Sequence, residues 1–205
     1  MAGESKGEVP MRRGLMVVAS LALGAIVFGQ SHADGHVIEQ PFPEGGLVTM
    51  NLSSGDYSVR AGASDRIRVH WQADDARHER DLEKIKVRTD LFGKVATIRT
   101  QGPTSRARFT IEIPGRSDLH LRIRAGDVRI EGIVGNKDVR MTAGDLDIDV
   151  APDSLWHVHA SVALGDLTAR PLGIEKDGIK SSLDWFGVGV YTLDARMFAG
   201  DVTLR

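Results

Sequence analysis

The chain has 205 residues, 41% of them hydrophobic, and a formal net charge of −2. It is therefore long enough to build one core, and its charge balance gives no sign of a nucleic-acid or other polyanion ligand. Cysteine is absent, which excludes disulfides, thiolate metal sites, a cysteine nucleophile and a lipid-modified N-terminal cysteine.

The first segment reads as an address. In "MRRGLMVVASLALGAIVFGQSHA" (11–33), Arg12 and Arg13 precede an apolar run from Leu15 to Phe28, and Ser31-His32-Ala33 offers small residues where a signal peptidase cuts. These are the three parts of a secretory signal peptide over 1–33, whose true start is Met11 if "MAGESKGEVP" is an over-long reading of the gene. The alternative is a retained membrane anchor, although the run is shorter than the ~20 residues that span hydrocarbon. Cleavage after Ala33 leaves 23 basic and 26 acidic residues, a net charge of −3.

Residues 34–45, "DGHVIEQPFPEG", have two prolines and little periodicity, and read as an extended, dispensable lead-in. From there, polar and apolar residues alternate with the period of a β-strand. The strings are "LVTMNLS" (47–53), "DYSVRAG" (56–62) and "DRIRVHWQ" (65–72). A charged stretch at 73–83 predicts a helical turn or solvated loop. Strands resume at 84–90, 94–101 and 107–113, with a loop at 101–106. In the C-terminal half, Leu119, Leu121, Ile123, Val128, Ile130, Val139, Met141, Leu146, Ile148, Val150, Val158, Ala160 and Val162 define a core face. The opposite face is charged, and no window shows sustained helical periodicity.

A short string recurs: Ser54-Gly55-Asp56, Ala125-Gly126-Asp127, Ala143-Gly144-Asp145, Leu164-Gly165-Asp166 and Ala199-Gly200-Asp201, each followed by alternating residues. Glycine admits positive φ and close backbone approach, and Asp can accept from the N–H two residues on. Each triplet is thus a corner between short strands. The corner glycines 126, 144 and 165 are 18 and 21 residues apart, the length of one rung in a stacked repeat. The expected fold is all-β, a single β-solenoid or β-roll over 46–205, with a sandwich or meander as the alternative.

These strings resemble those of a bacterial putative-adhesin family, a domain of unknown function whose exported members carry recurrent small-Gly-Asp strings along a toast-rack-like solenoid. The closing segment "WFGVGVYTLDARMFAGDVTLR" (185–205) is similar to the family's ending, and the resemblance covers roughly 45–205. It implies an exported, non-enzymatic structural or interaction module of the periplasm or cell surface, adhesive or envelope-associated. The implied partner is an envelope or surface protein or polysaccharide. It supplies no catalytic residue.

The residues themselves point the same way. His157 and His159 have a chelating spacing, with Asp147 or Asp149 as a third ligand, and Asp145, Asp147 and Asp149 form a carboxylate row. Ion pairing of that row with Arg122, Arg124, Arg129 and Arg140 explains it without a metal. No G-x-S-x-G, H-E-x-x-H or phosphate-binding loop is present. The expectation is therefore no catalytic, cofactor or metal residue, with a carbohydrate-active enzyme or ligand-binding protein on a β-helix scaffold as the alternative. Trp185, Phe186, Tyr191 and Phe198 would cap the last rung or form a partner patch, and Val202 and Leu204 must face the core.

Overall fold

Strict alternation is what lets one side of each strand enter the core. In β2 (Gly46–Leu52) buried residues occupy every second place, and Val48 and Met50 are fully enclosed. The computed structural model describes residues 36–205, so the signal-peptide segment 1–33 lies outside the described residues. Fourteen further strands continue this pattern: β1 (His36–Pro41), β3 (Asp56–Gly62), β4 (Arg66–Ala73), β5 (Lys86–Phe92), β6 (Val95–Gln101), β7 (Ala107–Pro114) and β8 (Ser117–Ala125), then β9 (Val128–Glu131), β10 (Lys137–Ile148), β11 (Leu155–Leu164), β12 (Leu167–Ala169), β13 (Ile174–Lys176), β14 (Ile179–Phe186) and β15 (Tyr191–Leu204). The charged stretch forms a 3₁₀ turn and the short helix α1 (Glu79–Leu82).

All fifteen strands belong to one curled sheet. On one side of its bend the neighbours run β5, β6, β2, β8, the first half of β10, the first half of β15, β11 and β14. On the other side they run β1, β4, β7, β3, β9, the second halves of β10 and β15, β12 and β13. The inner residues of both sides meet in a single apolar cluster. The predicted core face is buried throughout, except that Val150 is only half-buried.

The bend is made by the Gly-Asp corners. Gly126, Gly144, Gly165 and Gly200 have φ of +130°, +117°, +134° and +124°. A Cβ on Gly126 would fall on the carbonyl oxygen of Gly55, one on Gly144 on that of Gly126, one on Gly200 on that of Gly144, and one on Gly165 on that of Gly200. The glycines therefore stack in one column, and only glycine satisfies both the conformation and the contact. Among the described residues the corner aspartates do not make the bond to the N–H two residues on that the triplet alone predicts. The ladder between neighbours instead begins at the very next residue, as Tyr57 N–H donates to the Asp127 carbonyl at 2.8 Å and Val202 N–H to the Asp166 carbonyl at 2.9 Å.

The column also shows that ladder order is not chain order. Gly200 lies between Gly144 and Gly165, because β15 pairs with β10 on one side and with β11 and β12 on the other. Val202 and Leu204 are accordingly interior and fully buried. A sixth folded segment, β6 to β7, lies outside β2 and β3. Its corner, at Gly102 and a 3₁₀ turn (Thr104–Arg106), carries no Asp. The lead-in joins the sheet: β1 pairs with β4 over six positions, and Phe42 beside it is 1% exposed.

Candidate functional site

Register decides which outward side chains become neighbours. On the outer side of β6, β2 and β8, Arg99, Asn51 and Arg122 share one level, and Gln101, Ser53 and Arg124 follow two residues further along each chain segment. The 3₁₀ turn at Thr104–Arg106 rises beside them and closes a polar cleft of about 660 Å³. Its wall is fixed by internal hydrogen bonds. Thr104 Oγ1 donates to the Ser54 carbonyl at 2.6 Å, Ser53 N–H donates to Thr100 Oγ1 at 2.9 Å, and Ser53 Oγ donates to the Thr100 carbonyl at 2.7 Å. The buried Tyr57 hydroxyl also meets Thr100 Oγ1, at 2.9 Å, and burial pushes its pKa up to about 12. Asn51, Ser54, Gln101 and Ser105 line the cleft beside Arg122 and Arg124, and no carboxylate lines it.

Elsewhere on this outer surface several arginines are neutralised by an acid two residues away on the same strand. Arg140 meets Asp138 at 3.0 Å, Arg196 meets Asp194 at 2.7 Å, and Arg88 meets Asp90 at 2.8 Å. Arg122 and Arg124 have His120 and Gly126 at the corresponding positions. Among the described residues neither makes an ion pair, so two uncompensated guanidinium groups face the cleft although the whole chain is acidic.

The expected arginine–aspartate ladder takes another form. Asp145 and Asp147 lie beyond the bend, on the second half of β10, and Asp149 directly follows it, whereas Arg122, Arg124 and Arg140 lie before the bend. Asp147 pairs with Arg205, and Arg129, which shares its level, pairs with Glu131. The corner aspartates Asp56, Asp127, Asp145, Asp201 and Asp166 form a row along adjacent strands. Arg108 sits at the end of that row beside Asp56. Burial, then the neighbouring Asp127, pushes the Asp56 carboxyl above its usual range. Four carboxylates line an open depression of about 460 Å³ there, with Arg108 and Arg129 among them. In-register parallel strands project equivalent side chains the same way, so these acids lie side by side rather than facing one another across a cleft.

His157 and His159 come together on Asp184 of β14, not on Asp147 or Asp149. His159 Nδ1 lies 3.0 Å and His157 Nε2 3.3 Å from the same Asp184 oxygen, and these two hydrogen bonds hold the carboxyl below its usual range. Among the described residues no three His, Asp or Glu side chains are arranged to hold a metal ion. Phe186 stacks on His157 with centroids 4.5 Å apart, and Trp156 meets Phe186 edge-on at 6.1 Å. Trp156 and Phe186 remain 53% and 65% exposed, and Val188 and Val190 beside them are more so. Of the expected caps, Trp185 and Tyr191 pack against the core, while Phe186 and Phe198 face outward.

Sequence reasoning identified the arginines and histidines as polar-face residues but missed Asp184 and the cleft. Gly102-Pro103 between two alternating strings was the available signal for the extra corner. Among the described residues, no helix is long and apolar enough to cross a membrane. No family model matches the chain, and no curated protein matches it. A "putative adhesin" from Parabacteroides merdae matches at 11% identity and TM-score 0.25, over 82% of this chain and 80% of that one. One from Parabacteroides distasonis matches at 12% identity and TM-score 0.22, over 83% and 71%. The crystal structure of "a putative cell adhesion protein" from Clostridium sporogenes matches at 12% identity and TM-score 0.52, over 83% of this chain and 99% of that one. This chain is thus similar in fold to that protein, and the resemblance to the putative-adhesin family carried by its Gly-Asp strings fits the likeness.

Proposed function

We propose that the protein is an exported, non-enzymatic interaction module of a bacterial cell envelope that acts in adhesion. The observation that carries this reading is the exposed ridge of Trp156, Phe186, Val188 and Val190 at the β11–β14 end of the curled sheet. Large apolar side chains grouped on a surface mark a contact site, because leaving them in water costs about 25 cal/mol per Å². The similarity in fold to the "putative cell adhesion protein" of Clostridium sporogenes supports the same role. Export rests on the Arg-Arg, apolar and Ser-His-Ala series of residues 12–33. The parallel, in-register stacking of the Gly-Asp corners supports a toast-rack roll as the finer description of the fold.

A carbohydrate-active enzyme needs two carboxyl groups facing each other across a bound sugar. The side-by-side row at the corners is a poorer match to that need than to a regular surface. The test is attachment of beads coated with the 34–205 protein to the producing cells, comparing the parent with Trp156→Ala/Phe186→Ala. The reading predicts attachment that falls strongly in the double variant while melting stays unchanged. Parent-coated beads that attach no better than uncoated ones would defeat it.

A further inference from the structure

We propose that the cleft between β2, β6, β8 and the Thr104–Arg106 turn is a binding site for an acidic polysaccharide, with Arg122 and Arg124 taking its carboxylates. The inference rests on the adhesion reading for its biological setting, but the cleft is distinct from the aromatic ridge and stands on its own geometry.

Three observations combine. First, two guanidinium groups on alternate positions of β8 face the same cleft, and neither makes an ion pair among the described residues, whereas Arg140 and Arg196 on the neighbouring strands are paired. A guanidinium presents a fixed fork of donors that fits a carboxylate with two parallel hydrogen bonds. Second, apart from Leu52, Ile123 and Gly102 the rest of the lining is amide and hydroxyl: Asn51, Gln101, Ser54 and Ser105 can each donate or accept. That is the chemistry that matches a ligand dense in hydroxyl groups. No aromatic side chain lines the cleft, so stacking of nucleic-acid bases has no platform there. Third, the site is organised before any ligand arrives. The hydroxyls of Ser53, Thr100 and Thr104 are spent on bonds that lock the turn against β2, so binding need not order the wall. The net charge of −2 conceals this, because it averages a local positive cleft over an acidic surface.

The experiment is calorimetric titration of the 34–205 protein with polygalacturonate, its methyl ester, dextran and a single-stranded DNA 20-mer. Polygalacturonate should bind, and the methyl ester and dextran should not. Arg122→Gln/Arg124→Gln should weaken binding by about tenfold or more, the loss expected for charge-assisted bonds. Gln101→Glu, which brings a carboxylate into the cleft, should also weaken it. Arg140→Gln, at a paired arginine outside the cleft, should change affinity by less than about twofold. Equal binding of the methyl ester, indifference to both cleft variants, tighter binding of the DNA, or no binding of polygalacturonate overturns the proposal. Failure here is separable from failure of the adhesion reading. Bead attachment that falls in the Trp156/Phe186 variant, with no polygalacturonate binding by the parent, keeps adhesion and rejects the cleft. Polygalacturonate binding without attachment does the reverse.

Discussion

At the scale of single residues, the corner glycines and one buried lysine are the points under strain. A Cβ at residue 144 meets the Gly126 carbonyl at a φ of +117°, so both overlap and backbone strain oppose it. Gly144→Ala should therefore cost on the order of 3 kcal/mol. Gly93 has a φ of +57° but open space around it, so Gly93→Ala should cost only about 1 kcal/mol. Urea midpoints of the two variants measure the difference, and equal losses would contradict the stacked column. Lys137 is 6% exposed, level with the inward Leu119 and Leu193, and its ammonium reaches the Gly135 carbonyl at 3.3 Å. Burial pulls its pKa down from 10.5 to about 8. Between about pH 8 and 10.5 the unfolded chain binds a proton that the folded chain does not, so this lysine makes stability rise with pH across that window. Lys137→Met should remove that rise and raise stability at pH 7 by about 1–3 kcal/mol. Melting curves from pH 7 to 10.5 show whether it does.

At the scale of elements, most strands were legible because their inward set repeats every second residue; β13 and β14 were not, since 171–184 reads as a loop. The weakest reading was 34–45, where prolines and short length hid the alternation. Phe42 is the informative residue: its ring fills the space over Gly46, so Gly46 has no room for a side chain. Phe42→Ala should cost about 3–5 kcal/mol, while Phe92→Ala, at a side chain 88% exposed, should cost under about 0.5. Comparable losses in thermal melts would restore the lead-in to a loose appendage. The candidate site was less legible than the strands. Arg122 and Arg124 were visible as polar-face residues, but the cleft needs Ser54 and the Thr104 turn, 50 residues apart in sequence, to meet, as the Thr104–Ser54 bond shows. Asp184 was missed for a related reason. It reaches the two histidines from an antiparallel edge strand, not from the neighbouring repeats where a third ligand was sought.

At the scale of the molecule, the Gly-Asp strings announce that corners stack, but not in which sequence they stack. Five equivalent corners can be placed in many orders, and the choice rests on side-chain packing between segments, which local periodicity does not encode. Here the last segment enters between two earlier ones, an arrangement held by relays such as Asp118 to Asn136 to Thr192. In that relay Asn136 donates from its backbone N–H at 2.8 Å and its Nδ2 at 3.1 Å to Asp118, and accepts from the Thr192 N–H at 3.0 Å. The outer surface, including the paired arginines and the cleft, follows from that order.

The order can be measured directly because the chain has no cysteine of its own. Asp194 of β15 is level with Asp138 of β10 on one side and His159 of β11 on the other. Neighbouring strands lie about 4.8 Å apart, and strands two places apart about 9.6 Å, beyond the ~7 Å limit for a disulfide. The measurement is disulfide formation, by peptide mass mapping, in three double variants of the folded protein under mild oxidation. Asp138→Cys with Asp194→Cys should link, as should His159→Cys with Asp194→Cys, and Asp138→Cys with His159→Cys should not. Linkage of 138 with 159, without linkage of 138 to 194, would mean that the segments stack in chain order and would contradict the account.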